Sequence, residues 1–165
     1  PIVITGGEIS QINVVFLLDL KKVLAAAKNG ETARLPVFIG EKEGKKYYIL
    51  PMYGKGLWDA IWGFISLNED MVVQGVYFDH KGETPGLGAN IKMRYFMDDF
   101  IGESILDGNR YTGIAVAKGN NDPINEIKDD NEVSTARLEC SDFILIKSVI
   151  IIYIYANFYC NVKKY

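Results

Sequence analysis

An α+β fold, with a largely antiparallel sheet and segregated helices, is the architecture this sequence predicts. Three observations carry that expectation. The chain has 165 residues, 48% of them hydrophobic and 24% charged, one domain's length at about 150 residues per domain and enough to bury a core without staples. Several β-rich runs follow one another between residues 35 and 78, separated by polar or glycine-containing breaks. Helical periodicity is confined to the stretches before and after those runs, and strands in series with helices set apart from them define the class.

Residues 11–28 read as a helix. Ser10 is placed to cap it, Phe16, Leu20, Val23, Leu24 and Ala27 share one face, and Gly30 is its stop. Residues 35–39 and 47–52 form a predicted hairpin across a Glu-Lys-Glu-Gly-Lys turn, where Gly44 supplies a positive φ. After Gly54-Lys-Gly56, the residues Trp58, Ala60, Trp62 and Phe64 alternate with Asp59, Ile61, Gly63 and Ile65. Both sets are mostly apolar, so a strand over 58–65 covered on two sides is expected. Asn68-Glu-Asp70 turns the chain into a further strand over 71–78. A loop over 80–88 then leads into a helical stretch ending near Gly102, and 111–117 is the last strand.

Composition narrows the function classes. Eighteen basic against 21 acidic residues give a net charge of −3, without the basic excess that marks a nucleic-acid binder. One histidine, His80, excludes a His-rich metal site, and Cys140 and Cys160 lack metal-ligand spacing. Residues 1–7 carry no basic stretch followed by an apolar one, so no signal peptide is read there, and the start is read as cut, with an anchor upstream. Residues 143–158 are the nearest approach to a membrane segment but include Lys147 and Ser148, short of about 18 uninterrupted apolar residues. From Phe143 to Tyr165, 17 of 23 residues are Phe, Tyr, Ile, Asn or Lys, types that share A/T-rich codons. Two expectations stand for this tail: an apolar C-terminal strand pair, or a reading frame that departs from the natural one somewhere after Val133.

Chemistry is concentrated in two glycine segments. In His80-Lys-Gly-Glu-Thr-Pro-Gly-Leu-Gly88, three glycines and a proline make a pre-set loop at a helix start. Glycine lets a ligand approach the backbone, and a helix N-terminus offers unpaired N–H groups, so the place suits a phosphate or an electron-rich ring edge; such loops also simply join strands to helices. In Gly54-Lys-Gly-Leu-Trp58, two glycines before an indole allow it to lie against a planar ligand, the alternative being a strand entry with Trp58 and Trp62 in the core. His80 beside Asp79 and Glu83 is either an acid/base group or a solvated loop histidine. Lys118, at a strand end, is either a point charge for a phosphate or a solvated lysine.

Together the two segments, at this separation, resemble the FMN-binding domain family of respiratory complexes. The resemblance covers about 35–133, and Leu57-Trp58 favours its Na+-translocating NADH:quinone reductase branch over the Rnf-type branch. It implies FMN as cofactor, with Glu83, Thr84, Leu87 and Gly88 lining the flavin, Trp58 beside it and Lys118 toward the phosphate. It further implies an extracytoplasmic domain at the bacterial inner membrane, other membrane subunits of the reductase complex as partners, and electron relay between them while sodium crosses. Family members attach FMN through its phosphate to a threonine of a Ser-Gly-Ala-Thr motif, by means of a flavin transferase. Here the corresponding stretch is Ser134-Thr-Ala-Arg137-Leu138. Arg137 stands at the acceptor position, and a guanidinium forms no phosphoester; Thr135, the nearest suitable hydroxyl, comes two positions early. The departure argues against covalent attachment and keeps open a flavin-free docking domain. The expected organisation is an N-terminal helical segment (1–34), an FMN-binding core (35–133) and an atypical tail (134–165).

Overall fold

In the computed structural model the described residues are 2–5, 8–11, 19, 21–23, 26, 29, 31, 34–117, 122–128 and 131–134. Six strands make one antiparallel sheet in the order β2-β1-β3-β4-β5-β6, with β1 Ile2–Thr5, β2 Glu8–Gln11, β3 Arg34–Lys42, β4 Lys45–Lys55, β5 Ala60–Leu67 and β6 Val73–His80. The β3–β4 register pairs Lys42 with Lys45. Glu43 and Gly44 form the two-residue turn with φ of 54° and 73°, the doubly left-handed geometry that matches strand twist. The turn before β6 is closed by Asn68, whose Oδ1 accepts the amides of Asp70 (3.0 Å) and Val72 (2.9 Å).

The register sorts the two sheet faces. Leu50 lies opposite Ile65, Met52 opposite Gly63 and Gly63 opposite Phe78. Leu50, Met52, Ile61, Ile65, Leu67 and Val73 are buried on this inner face. Against it sit a short 3-10 helix, Gly88–Lys92, and the helix α1, Arg94–Asp99. The inner face is joined to α1 by three rings: Phe96 meets Phe100 edge-on at 5.2 Å, and Phe78 reaches Phe100 at 5.3 Å and Phe96 at 5.9 Å. Gly63 makes room for this. A Cβ there would run into the Tyr77 carbonyl oxygen and stand 3.1 Å from Phe78 Cδ1.

Beyond α1, β7 Leu106–Asp107 pairs antiparallel with β8 Arg110–Tyr111. β9 Ala115–Ala117 and β10 Glu132–Ser134 form a separate parallel pair. Buried Glu103 faces Lys128, whose Nζ is 3.5 Å from Glu103 Oε1 and donates to the Asp99 carbonyl at 2.6 Å. Among the described residues no helix is long and apolar enough to cross a membrane.

The α+β, largely antiparallel class is what the structure has, but four local expectations differ. Gln11 ends β2 and Ser10 pairs with Val3, so the helix expected from Gln11 does not start there. Helix is described at 21–23 and 26, with the Val23 amide on the Asp19 carbonyl, while 12–18 lie outside the described residues. Strand β5 starts at Ala60, leaving Trp58 in the loop before it, because the Gly56 amide donates to the Asp59 carbonyl at 2.7 Å and closes a tight turn. β5 is not covered on both sides: Phe64, opposite Tyr77, is 43% exposed and Tyr77 47%. The expected strand 111–117 is broken, since the Thr112 and Gly113 amides both turn back to the Ile105 carbonyl and Gly113 takes φ 76°.

Candidate functional site

The two glycine segments come together, and a buried carboxylate joins them. Glu83 is 5% exposed. Its Oε1 accepts the backbone amides of Trp58 (3.1 Å) and Asp59 (3.3 Å), residues from the other segment. A charged acceptor on two amides is a stronger tie than a neutral one. The Lys81 amide donates to the Ala60 carbonyl (2.9 Å), and Lys81 Nζ pairs with Asp59 Oδ2 at 3.0 Å. Glu83 is itself held, its amide donating to His80 Nδ1 at 3.2 Å. The His80 side chain is half-buried and closes the loop.

Charge settles the rim. The hydrogen bond from Lys81, then the Ala60 amide, holds the Asp59 carboxyl below its ordinary range, and Asp59 in turn raises Lys81. Lys92, at the end of the 3-10 helix, reaches Asp79 Oδ1 at 2.9 Å. That hydrogen bond, with the His80 amide, lowers Asp79. The 3-10 helix is thereby pinned to the end of β6.

Within the second segment Thr84 organises the turn: its carbonyl accepts the Leu87 and Ala89 amides, both at 3.1 Å, and Gly86 takes φ 76°. This corrects the expectation of a helix N-terminus with free donors. The helix is a five-residue 3-10 turn, and the amides of Leu87, Ala89 and Asn90 already donate within the loop. What the loops present outward is apolar surface. Trp58 is 67% exposed, Leu57 and Leu87 each 37%, and no atom stands within 4 Å of the place a Cβ on Gly86 would occupy. Exposed indole and leucine beside a glycine backbone suit a flat, largely apolar ring system.

Of the residues singled out from sequence, the structure gathers Trp58, Glu83, Thr84, Leu87 and Gly88, with Gly88 buried at the start of the 3-10 helix and Thr84 exposed. Lys118, Thr135 and Arg137 lie outside the described residues. The residues just before the first two are Ala117 and Ser134, and these are cross-strand partners in the β9–β10 pair. Ser134 is held by Asn125: its amide donates to Asn125 Oδ1, and its carbonyl accepts from Asn125 Nδ2 at 3.1 Å. Asn125 and Asn131 both take φ 57°, the left-handed conformation asparagine tolerates better than most residues. Sequence reasoning passed over Asn125 and the loop-closing role of His80. An asparagine in a polar loop carries no mark of the strand it will clamp, whereas His80, three residues before a glutamate in a glycine loop, was at least a signal for a turn.

The FMN-binding domain family matches residues 56–136, which take in the second glycine segment, the first from Gly56 on, and the stretch through Ser134. The C subunit of the Na(+)-translocating NADH-quinone reductase of Neisseria meningitidis serogroup A is 38% identical over 72 residues, 43% of this chain and 28% of that protein. The protein of the same name from Yersinia pestis is 40% identical over 80 residues, 46% of this chain and 30% of that protein. The matched segment therefore spans less than a third of these curated relatives. Among solved structures, the C subunit of the same reductase from Parabacteroides distasonis superposes with a TM-score of 0.68 at 30% identity, over 92% of this chain and 72% of that one. Shewanella oneidensis NqrC superposes with a TM-score of 0.71 at 19% identity, over 99% of this chain and 83% of that one, a likeness of fold.

Proposed function

The chain belongs to the FMN-binding domain family, and from that premise we propose that it is the FMN-carrying electron-transfer domain of a Na+-translocating NADH:quinone reductase, corresponding to the C subunit of that complex. The observation that carries the proposal is the pair of loops tied by Glu83, with Trp58 and Leu87 exposed on them. Bound FMN supplies reversible electron transfer, chemistry no side chain here needs to perform.

The chain's own residues bind, orient and keep water away. Trp58 and Leu87 provide apolar walls for the ring. Glycines 86 and 88 let the backbone come close. Lys118 provides a cation toward the phosphate. With Arg137 at the acceptor position, the phosphate is held as an ion and not as an ester, by charge-assisted hydrogen bonds. The domain works on the extracytoplasmic side of the bacterial inner membrane, passing electrons between other subunits of the complex as sodium is moved; a flavin transferase has no acceptor threonine in register here.

The test is a flavin spectrum of the purified full chain, followed by a denaturing gel. A flavin band in the native protein, with no fluorescence on the denatured band, is the expected result. A chain that takes up no flavin from excess FMN refutes the proposal and favours a docking domain without cofactor, the class to which the altered Ser134-Thr-Ala-Arg137 stretch also points.

A further inference from the structure

We infer that Glu83 is a positioning residue, one that fixes the Trp58 indole in place before any ligand arrives and does not itself form the ligand's wall; the inference rests on the flavin reading above. Trp58 sits in a four-residue turn closed by one backbone hydrogen bond, Gly56 to Asp59, and most of its surface is free. Such a turn has little packing of its own to define where the ring points. The definition comes from 25 residues downstream: one buried carboxylate oxygen takes the amides of Trp58 and Asp59 together. The two amides belong to the peptide units on either side of Trp58, so their common acceptor orients both planes and with them the direction of the Trp58 Cα–Cβ bond. Glu83 cannot drift, because its own amide is bound to His80 Nδ1 and the flanking Lys81 amide to the Ala60 carbonyl. A loop ordered beforehand spares the ligand the entropy of ordering it, so the carboxylate acts on affinity through Trp58.

The experiment uses the full chain carrying Trp62→Phe, which leaves Trp58 as its one indole. Three readouts are taken: protection of the Trp58 and Asp59 amides in hydrogen exchange, indole anisotropy without FMN, and FMN affinity by flavin fluorescence. Glu83→Leu removes the acceptor at similar size; Glu83→Gln keeps an acceptor oxygen. In the parent both amides are protected. Glu83→Leu lowers the indole anisotropy and weakens FMN binding by about tenfold or more, while Glu83→Gln stays within about threefold of the parent on the same scale. Unprotected Trp58 and Asp59 amides in the folded parent overturn the inference, whatever the variants do, and so keep the test decisive if Glu83→Leu fails to fold. So does a folded Glu83→Leu protein with unchanged anisotropy and affinity, or a Glu83→Gln protein as impaired as Glu83→Leu. A parent that binds no FMN refutes the proposed function instead; amide protection and anisotropy then judge the positioning role by themselves.

Discussion

Removing the Trp58 indole separates a binding residue from a core residue, because the structure puts the two effects on different scales. A buried tryptophan truncated to alanine costs about 3–5 kcal/mol of stability. Trp58 is 67% exposed. Of a side chain of roughly 250 Å², about 80 Å² is then out of water, worth ~2 kcal/mol at 25 cal/mol per Å², an upper bound because unfolded chains also bury surface. A ring system laid on the free face covers roughly 100 Å² more, about 2.5 kcal/mol, or a fifty- to hundredfold change in Kd. Trp58→Ala is therefore expected to lose at most ~2 kcal/mol in urea unfolding while weakening FMN binding by more than about tenfold. The assay is the pair of measurements on one preparation: denaturant unfolding by tyrosine fluorescence or circular dichroism, and FMN titration by flavin fluorescence. A folded Trp58→Ala protein that loses 3–5 kcal/mol, or one whose FMN affinity changes less than about twofold, refutes the reasoning.

Gly63→Ala places a methyl against the Tyr77 carbonyl and the Phe78 ring; overpacking of this kind costs about 1–3 kcal/mol, read as a lower urea midpoint, and an unchanged midpoint contradicts the tight β5–β6 approach. Phe96→Ala removes the α1 ring from the three-ring cluster that joins α1 to the inner face, and about 3–5 kcal/mol of destabilisation is expected, with faster exchange of the α1 amides than of the β4 amides. Asp122 gives a pH test. Burial alone would raise its pKa, but the amides of Ile127 and Glu126, the charge of Lys128 and the Ile124 amide together outweigh burial, and the carboxyl titrates below its ordinary range. A depressed folded-state pKa stabilises above the unfolded value of about 3.9 and stops doing so as pH falls through the folded value. The stability gap between wild type and Asp122→Asn should therefore be present at neutral pH and shrink below about pH 4; a gap independent of pH shows the carboxylate charge is not involved.

The parts of the fold legible in the sequence are those whose cause is local. The β3–β4 hairpin is written in Glu43-Gly44, because glycine at a left-handed position is a property of a few adjacent residues. The β5–β6 pair and the helical stretch to Gly102 were legible for the same reason: alternation and turn residues act over a handful of positions. The β1–β2 hairpin was equally available, with Gly6-Gly7 between two short runs, but the apolar periodicity of 12–27 drew the helix boundary forward over Ser10 and Gln11. Trp58 shows the other limit. Alternation assigned it to a strand; the turn it occupies is closed by the Gly56–Asp59 hydrogen bond and tied to Glu83, whose partners are 24 and 25 residues away.

The site was legible in a different way. Residue types at spacing singled out the two glycine segments, and the family resemblance then implied a direct role toward the flavin for their residues. The structure gives part of that work to internal bonds. Thr84 spends its carbonyl on two loop amides, His80 accepts from Glu83, and Glu83 accepts from the Trp58 turn. On the proposed reading, a site that keeps apolar surface open to water cannot rely on packing to hold its shape, since the groups that would pack are the ones exposed for the ligand. Hydrogen bonds and ion pairs behind the surface have to supply the order. Two of the buried polar residues, Glu83 and Asn125, stand beneath the loop that shows Trp58 and against the strand that ends at Ser134, and on the proposed flavin reading substituting Glu83 should disturb binding through Trp58 and not through a contact of its own.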